Sequence, residues 1–305
     1  MTVDRPLLGI MLMLGFCIVA PMGDALAKLL GQSVPLGELL IVRFAVQAIL
    51  LIPLVWLGGR AWKMRGRVLR LTALRTVLHI FGIGAMFSAL QYLPLADAVA
   101  IAFVMPFLML LLGKYVLGEE VGLRRILACL VGFVGTLLVI QPSFAEVGWP
   151  ALLPLVVAVN FAVFMLVTRQ IAKDTDPIGL QAVSGVMAVV VLAPILWLTQ
   201  NAGIPALHFK ALSGLELYLL GSIGVLGTLA HLLMTWSLRF APSATLAPMQ
   251  YLEIPVATVI GFVVFSDLPN AMASIGICIT IASGLYIVLR ERAIARTTAR
   301  APAPA

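Results

Sequence analysis

The chain has 305 residues, 62% of them hydrophobic and only 11% charged, with a formal net charge of +7. A soluble domain carries about 25% charged residues, so a water-exposed globular enzyme is excluded. Apolar runs close to the roughly 20 residues needed to cross a bilayer recur along the chain. This is the composition of a polytopic membrane protein, for which the lipid bilayer is the first partner. Its basic excess does not point to nucleic acid, because the cations have first to be sorted by membrane side.

Ten helical spans are expected in chain order, at about residues 7–28, 37–58, 72–92, 95–114, 124–141, 150–168, 178–199, 214–236, 243–265 and 271–289. The connections are too short for a soluble domain. Span one mimics a signal peptide, with Arg5, an apolar stretch and then Ala25-Leu26-Ala27. Its removal would leave nine spans, so it is expected to stay. Span one also carries Asp24 and Lys28, spaced for an i, i+4 ion pair. Glu38 and Arg43 follow in span two. These four form either an outer gate or a static clamp near the interface. Span three brings His79, which reads as structural. Asp97, after Leu93-Pro94, reads as a helix N-cap, with Thr245 in the matching later place. Glu119 and Asp267 fall at helix ends. The cysteines Cys17, Cys129 and Cys278 lie in apolar stretches and read as packing residues without metal spacing.

Basic residues give the orientation. With the N-terminus in the cytoplasm, seventeen of the 20 Lys and Arg lie inside, including Arg60, Lys63, Arg65, Arg67, Arg70 and Arg75 before and at the start of span three. Positive charge favours the cytoplasmic side, so both termini are expected there, in a cell inner membrane.

A repeat runs through these spans. Gln91-Tyr-Leu-Pro94-Leu-Ala-Asp97, then Pro106 and Gly118-Glu119, is matched by Arg239-Phe-Ala-Pro242-Ser-Ala-Thr245, then Pro255 and Ser266-Asp267, about 148 residues later. Upstream, Leu51-Ile-Pro53-Leu-Val-Trp56 matches Leu192-Ala-Pro194-Ile-Leu-Trp197 at an offset of 141. Each copy has five spans, an odd number, so the second enters the membrane from the opposite side and the copies are inverted. The fold expected is an all-α membrane protein of ten transmembrane helices in two inverted five-helix repeats. The repeats cover residues 8–141 and 150–289, followed by a cytoplasmic tail over 290–305.

Arg43-Phe44, the passage from Ala89 through Pro94 and Pro106 to Gly118-Glu119, and their second copies resemble the EamA branch of the drug/metabolite transporter superfamily. The resemblance covers about residues 8–289. It implies a secondary carrier for a small organic molecule and gives Arg43 a functional claim. The second copy departs from the pattern, with Ser184 at the place of Arg43 and Ser266-Asp267 for Gly118-Glu119.

Ionisable groups at membrane depth are costly and mark function more often than not. Glu253, just before Pro255 in span nine, is the strongest candidate. Gln250 shares its helical face, and a helix break at Pro255, paralleled by Pro106 in span four, would loosen the carbonyl of Tyr251. His231, Asn160, Tyr251 and Trp236 complete the expected substrate site, with Phe87, Phe103, Met105 and Met249 as further lining. Each has a plainer reading as packing or as an interhelical bond. No P-loop, nucleotide fingerprint, zinc motif or catalytic triad is present, so neither enzymatic activity nor a cofactor or metal is expected. The expectation is alternating-access transport of a metabolite, with riboflavin-like vitamin uptake first and export of amino acids or related metabolites second. A lipid enzyme and a channel rank lower. A monomer or homodimer would suffice.

Overall fold

The computed structural model describes residues 5–118 and 122–300. Glu119 therefore lies outside the described residues. All regular structure among them is helical: α1 (Pro6–Leu30), α2 (Leu36–Leu57), α3 (Gly66–Ala89), α4 (Leu95–Ala102), α5 (Met105–Leu117), α6 (Leu123–Val147), α7 (Leu153–Ile171), α8 (Pro177–Thr199), α9 (Gly214–Phe240), α10 (Ser243–Leu246), α11 (Glu253–Phe265) and α12 (Ala271–Arg300). They make ten spans. The fourth is α4 plus α5. The ninth is α10, a 3-10 stretch over Ala247–Leu252, and α11.

Three boundaries differ from expectation. α3 begins at Gly66, so the basic cluster ahead of span three belongs partly to its first turns. α6 runs to Val147 despite Pro142 within it, and α12 stays helical to Arg300, past the expected end at 289.

The most extensive helix pairings all join opposite halves: span one with eight, three with six, two with seven, and five with ten. Exchanging the halves turns the first pairing into the second and returns the last two to themselves. That is the contact pattern of an inverted repeat about a two-fold axis. Spans five and ten approach so closely at Gly135 and Gly276 that a methyl group on Gly135 would lie 2.6 Å from the Gly276 carbonyl oxygen. Small residues at a membrane helix contact serve this purpose. Span one is part of the core: Ala25 and Ala27 are buried, and the helix packs along α9.

The local signatures of the repeat are kept. Pro94 and Pro242 precede α4 and α10 as N-caps with near-identical backbone angles. Gly118 and Ser266 both end their helices in the left-handed conformation, and Ser266 is the only described non-glycine residue with positive φ. Asp97 is not an N-cap. Pro94 takes that position, which moves Asp97 to the third residue of α4, where Ser143 Oγ donates to it at 2.9 Å. Thr245 is likewise inside α10, with Pro242 as the cap.

Trp56 and Trp62 near one face, and Trp149 and Trp197 near the other, are exposed at helix ends, as interfacial aromatics are. Leu, Ile and Val side chains exposed along the outer helix faces complete a lipid-facing surface.

Candidate functional site

The spans leave an interior cavity between the halves, with a volume of about 90 Å³. It runs from the bundle's middle towards the face opposite the chain termini. Span one lends Phe16, Val19, Gly23 and Asp24; span two Arg43; span three Gly82, Ile83, Met86 and Phe87. Val99, Phe103 and Met105 come from span four, Val157 and Phe161 from span six, Ile223, Gly227 and His231 from span eight, and Glu253 from span nine. The mostly apolar lining with a few polar groups is that of a small-molecule site.

The charges converge from three helices. Asp24 lies close enough to feel both Arg43 and Glu253. Arg43 is buried, and its Nη1 has no hydrogen-bond partner. Room for its guanidinium exists because residue 227 is glycine: a methyl group there would stand 2.8 Å from Nε and Nη2. Among the described residues no hydrogen bond reaches the Asp24 or Glu253 carboxylate. The cavity thus offers one cation with unused donor capacity and two carboxylates with unused acceptors, walled by Phe16, Phe87, Phe103 and Phe161.

His231 sits at the cavity's inner end and meets His79 from span three, Nε2 to Nε2 at 3.1 Å. Such a contact needs one ring to donate and the other to accept. Phe44, Phe161 and Phe164 pack edge-on or stacked around the pair.

The expected site residues divide. Arg43, His231 and Glu253 line the cavity, and Asp24 joins them instead of forming an outer cluster. Gln250 lies one turn deeper than Glu253, its amide against Met165 Sδ at 3.1 Å and Met13 Sδ at 3.8 Å, beneath the cavity floor. Tyr251 points the other way, fully buried against Phe103 and Gly132. Asn160 donates to the Leu78 carbonyl at 2.8 Å and ties span six to span three. Trp236 packs in a separate cluster with Leu51, Val55 and Ile178. Met249 is buried in the core outside the lining. Pro106 and Pro255 stand in the first turns of α5 and α11, directly after the interruptions of spans four and nine.

The expected outer cluster separates by chemistry. Lys28 does not pair with Asp24; its Nζ reaches Asp267 at 2.8 Å and the Leu93 carbonyl at 3.2 Å. Glu38 accepts from the Lys210 backbone N–H at 3.4 Å instead of meeting Arg43. Arg75 needs the largest correction. Counted as a loop cation, it is fully buried about 14 Å into α3. The sequence carried a signal for it: Thr168, Gln181, Ser184 and Thr235 are polar groups inside apolar runs, and all four accept hydrogen bonds from Arg75. The lining from spans one and six, Phe16 and Phe161 above all, had no polar signal to mark it. All three cysteines are free thiols, Cys278 exposed on the outer surface. Among the described residues no group of three or more His, Cys, Asp or Glu side chains is placed to hold a metal.

Comparison with known proteins agrees with this architecture. The EamA-like transporter family matches twice, over residues 7–141 and 148–289. An S-adenosylmethionine uptake transporter of Rickettsia felis is 25% identical over 272 residues, covering 88% of each chain. A riboflavin transporter of Rhizobium johnstonii is 28% identical over 218 residues, 71% of this chain and 69% of its own. A pseudopaline exporter of Pseudomonas aeruginosa is 26% identical over 275 residues, 90% of this chain and 91% of its own. Ten spans in two inverted halves, and a family match to each half, together identify this multi-pass membrane protein as a member of the EamA-like transporter family.

Proposed function

We propose that the chain is a secondary transporter that takes up a ring-bearing small metabolite across a bacterial inner membrane, with both termini in the cytoplasm. The observation that carries this reading is the cavity between the halves, where Arg43, Asp24 and Glu253 present unused hydrogen-bonding capacity among four phenylalanine rings. Aromatic walls suit a flat heterocycle, and the charged groups suit the polar chain attached to it. Riboflavin and S-adenosylmethionine, named for two relatives, both combine these features. The sixteen remaining Lys and Arg assigned to the terminus side support the orientation. Because one chain encloses the whole cavity, a monomer suffices, alone or within a homodimer. On this reading the cavity binds and releases its solute unchanged.

Export of an amino acid or related metabolite is the second reading. It is favoured by the acid and base in one cavity, which fit a zwitterion, and by the exporter among the relatives. Vesicles containing the purified protein separate the two. Riboflavin, S-adenosylmethionine and a set of amino acids are offered as labelled solutes, and saturable uptake with counter-transport is measured. Counter-transport of a ring-bearing solute is the expected result. Flux that neither saturates nor exchanges would indicate a channel. Counter-transport of amino acids alone would favour the second reading.

A further inference from the structure

Arg75 belongs to the first half, yet all five of its hydrogen bonds go to the second. Its Nε donates to Thr168 Oγ1 at 2.9 Å; Nη1 to Ser184 Oγ at 3.0 Å and Gln181 Oε1 at 3.3 Å; Nη2 to Gln181 Oε1 at 3.2 Å and Thr235 Oγ1 at 3.4 Å. These partners lie on spans six, seven and eight. One guanidinium thus fastens span three to three helices of the opposite repeat, on the terminus side of the cavity. Among the described residues no carboxylate pairs with it, and the charge rests on the face of Phe164, 4.6 Å from the ring centroid.

A buried cation without a counter-ion is an expensive way to hold helices together; well-packed apolar side chains would do so at lower cost. What neutral acceptors offer is release. Water can replace hydroxyls and an amide as partners when the helices separate, with no ion pair to pull apart. The contacts also lead back to the cavity. His79, one turn from Arg75 on α3, bonds His231, which lines the cavity. The Phe164 ring touches both imidazoles, at 5.0 and 5.8 Å between centroids, and lies under Arg75. Ser184, the place where the second repeat lacks an arginine matching Arg43, is filled by the guanidinium of Arg75.

We propose that Arg75 is the gate residue of the terminus-side pathway. With Thr168, Gln181, Ser184 and Thr235 it locks the halves together there. A solute in the cavity loosens the lock by displacing His231, which shifts His79 and Phe164 from beneath the guanidinium. This rests on the cavity being the transport site.

The test is a distance. Spin labels at Lys63→Cys and Asp174→Cys, exposed on terminus-side loops of opposite halves, are attached to a full-length chain whose three native cysteines are alanine. In lipid, Arg75→Ala is expected to add a longer-distance population without solute, and net uptake to fall several-fold. Gln181→Ala with Ser184→Ala leaves the charge but removes three of the five bonds, and should shift the distance the same way. It serves also if Arg75→Ala does not fold. Arg75→Lys, a single ammonium unable to span three helices, should fall between. Folded variants that keep the wild-type distance overturn the gate, whatever their thermal stability. The two readings fail separately. If the distance shifts but Arg43→Ala and Glu253→Gln leave transport intact, the lock stands and the cavity assignment falls.

Discussion

Two buried arginines on consecutive spans are treated in opposite ways. Arg75 is saturated: five hydrogen bonds and an aromatic face beneath the guanidinium. Arg43 is left incomplete, with Asp24 nearby, Nη1 without a partner, and empty space in front of it. A buried donor left unsatisfied costs about 1–3 kcal/mol. Meeting this cost at one arginine and avoiding it at the other, one helix away, is what supports the proposal that Arg43 binds the solute. The second repeat sharpens the contrast, because its counterpart of Arg43 is Ser184, and Ser184 is spent on Arg75.

The largest expected effect that would break this comparison is at Arg43. Arg43→Ala should weaken solute binding by about 30-fold or more, in the range of losing one partner of a buried charge contact (about 2–5 kcal/mol). Equilibrium titration of the purified protein measures it, and wild-type affinity would place Arg43 with the merely structural groups. Gly227→Ala comes next. The added methyl stands 2.8 Å from the Arg43 guanidinium and must displace it, so transport is expected to fall about tenfold while thermal stability drops by about 1–3 kcal/mol. Unaltered transport would show that the position of Arg43 is unimportant.

Smaller effects are expected away from both arginines. Lys28→Met removes the pair with Asp267, whose side chains are 18% and 35% exposed; stability should change by no more than about 1 kcal/mol. A large loss of transport would make that pair part of the working machinery. Ser266→Gly relieves a non-glycine residue from positive φ, and is expected to stabilise the protein by about 0.5–1 kcal/mol in thermal unfolding, with transport unchanged.

Much of the fold was legible because the bilayer writes it into the chain. Ten apolar runs and a 148-residue spacing of Pro94 and Pro242 were enough for ten spans in two inverted halves. Ser266 shows the limit of residue identity: it departs from Gly118 in sequence and adopts the same left-handed turn. The cavity lining was legible where a charge stood alone at depth, as with Arg43 and Glu253. It was obscured where meaning depends on partners from distant spans. Asp24 and Lys28 have ideal spacing for a pair, yet Asp267, 239 positions away, takes the lysine. Arg75 followed five other basic residues and read as part of their loop, because nothing local distinguishes a helix's first turns from the loop before it when both are basic. Gln250 lies below the cavity: three residues of 3-10 helix, about 6 Å, separate it from Glu253 and set it against Met165 and Met13.

The most direct test of the central claim, that the cavity between the halves holds the solute, is photo-crosslinking. A light-activated analogue of whichever solute shows counter-transport is bound to the wild-type protein, irradiated, and its attachment sites are mapped by mass spectrometry. Adducts are predicted on Phe16, Phe87, Phe103 and Phe161, lost when the unmodified solute competes. Competable adducts confined to the lipid-facing groove of Trp56, Trp62, Val186 and Met187 would contradict the account.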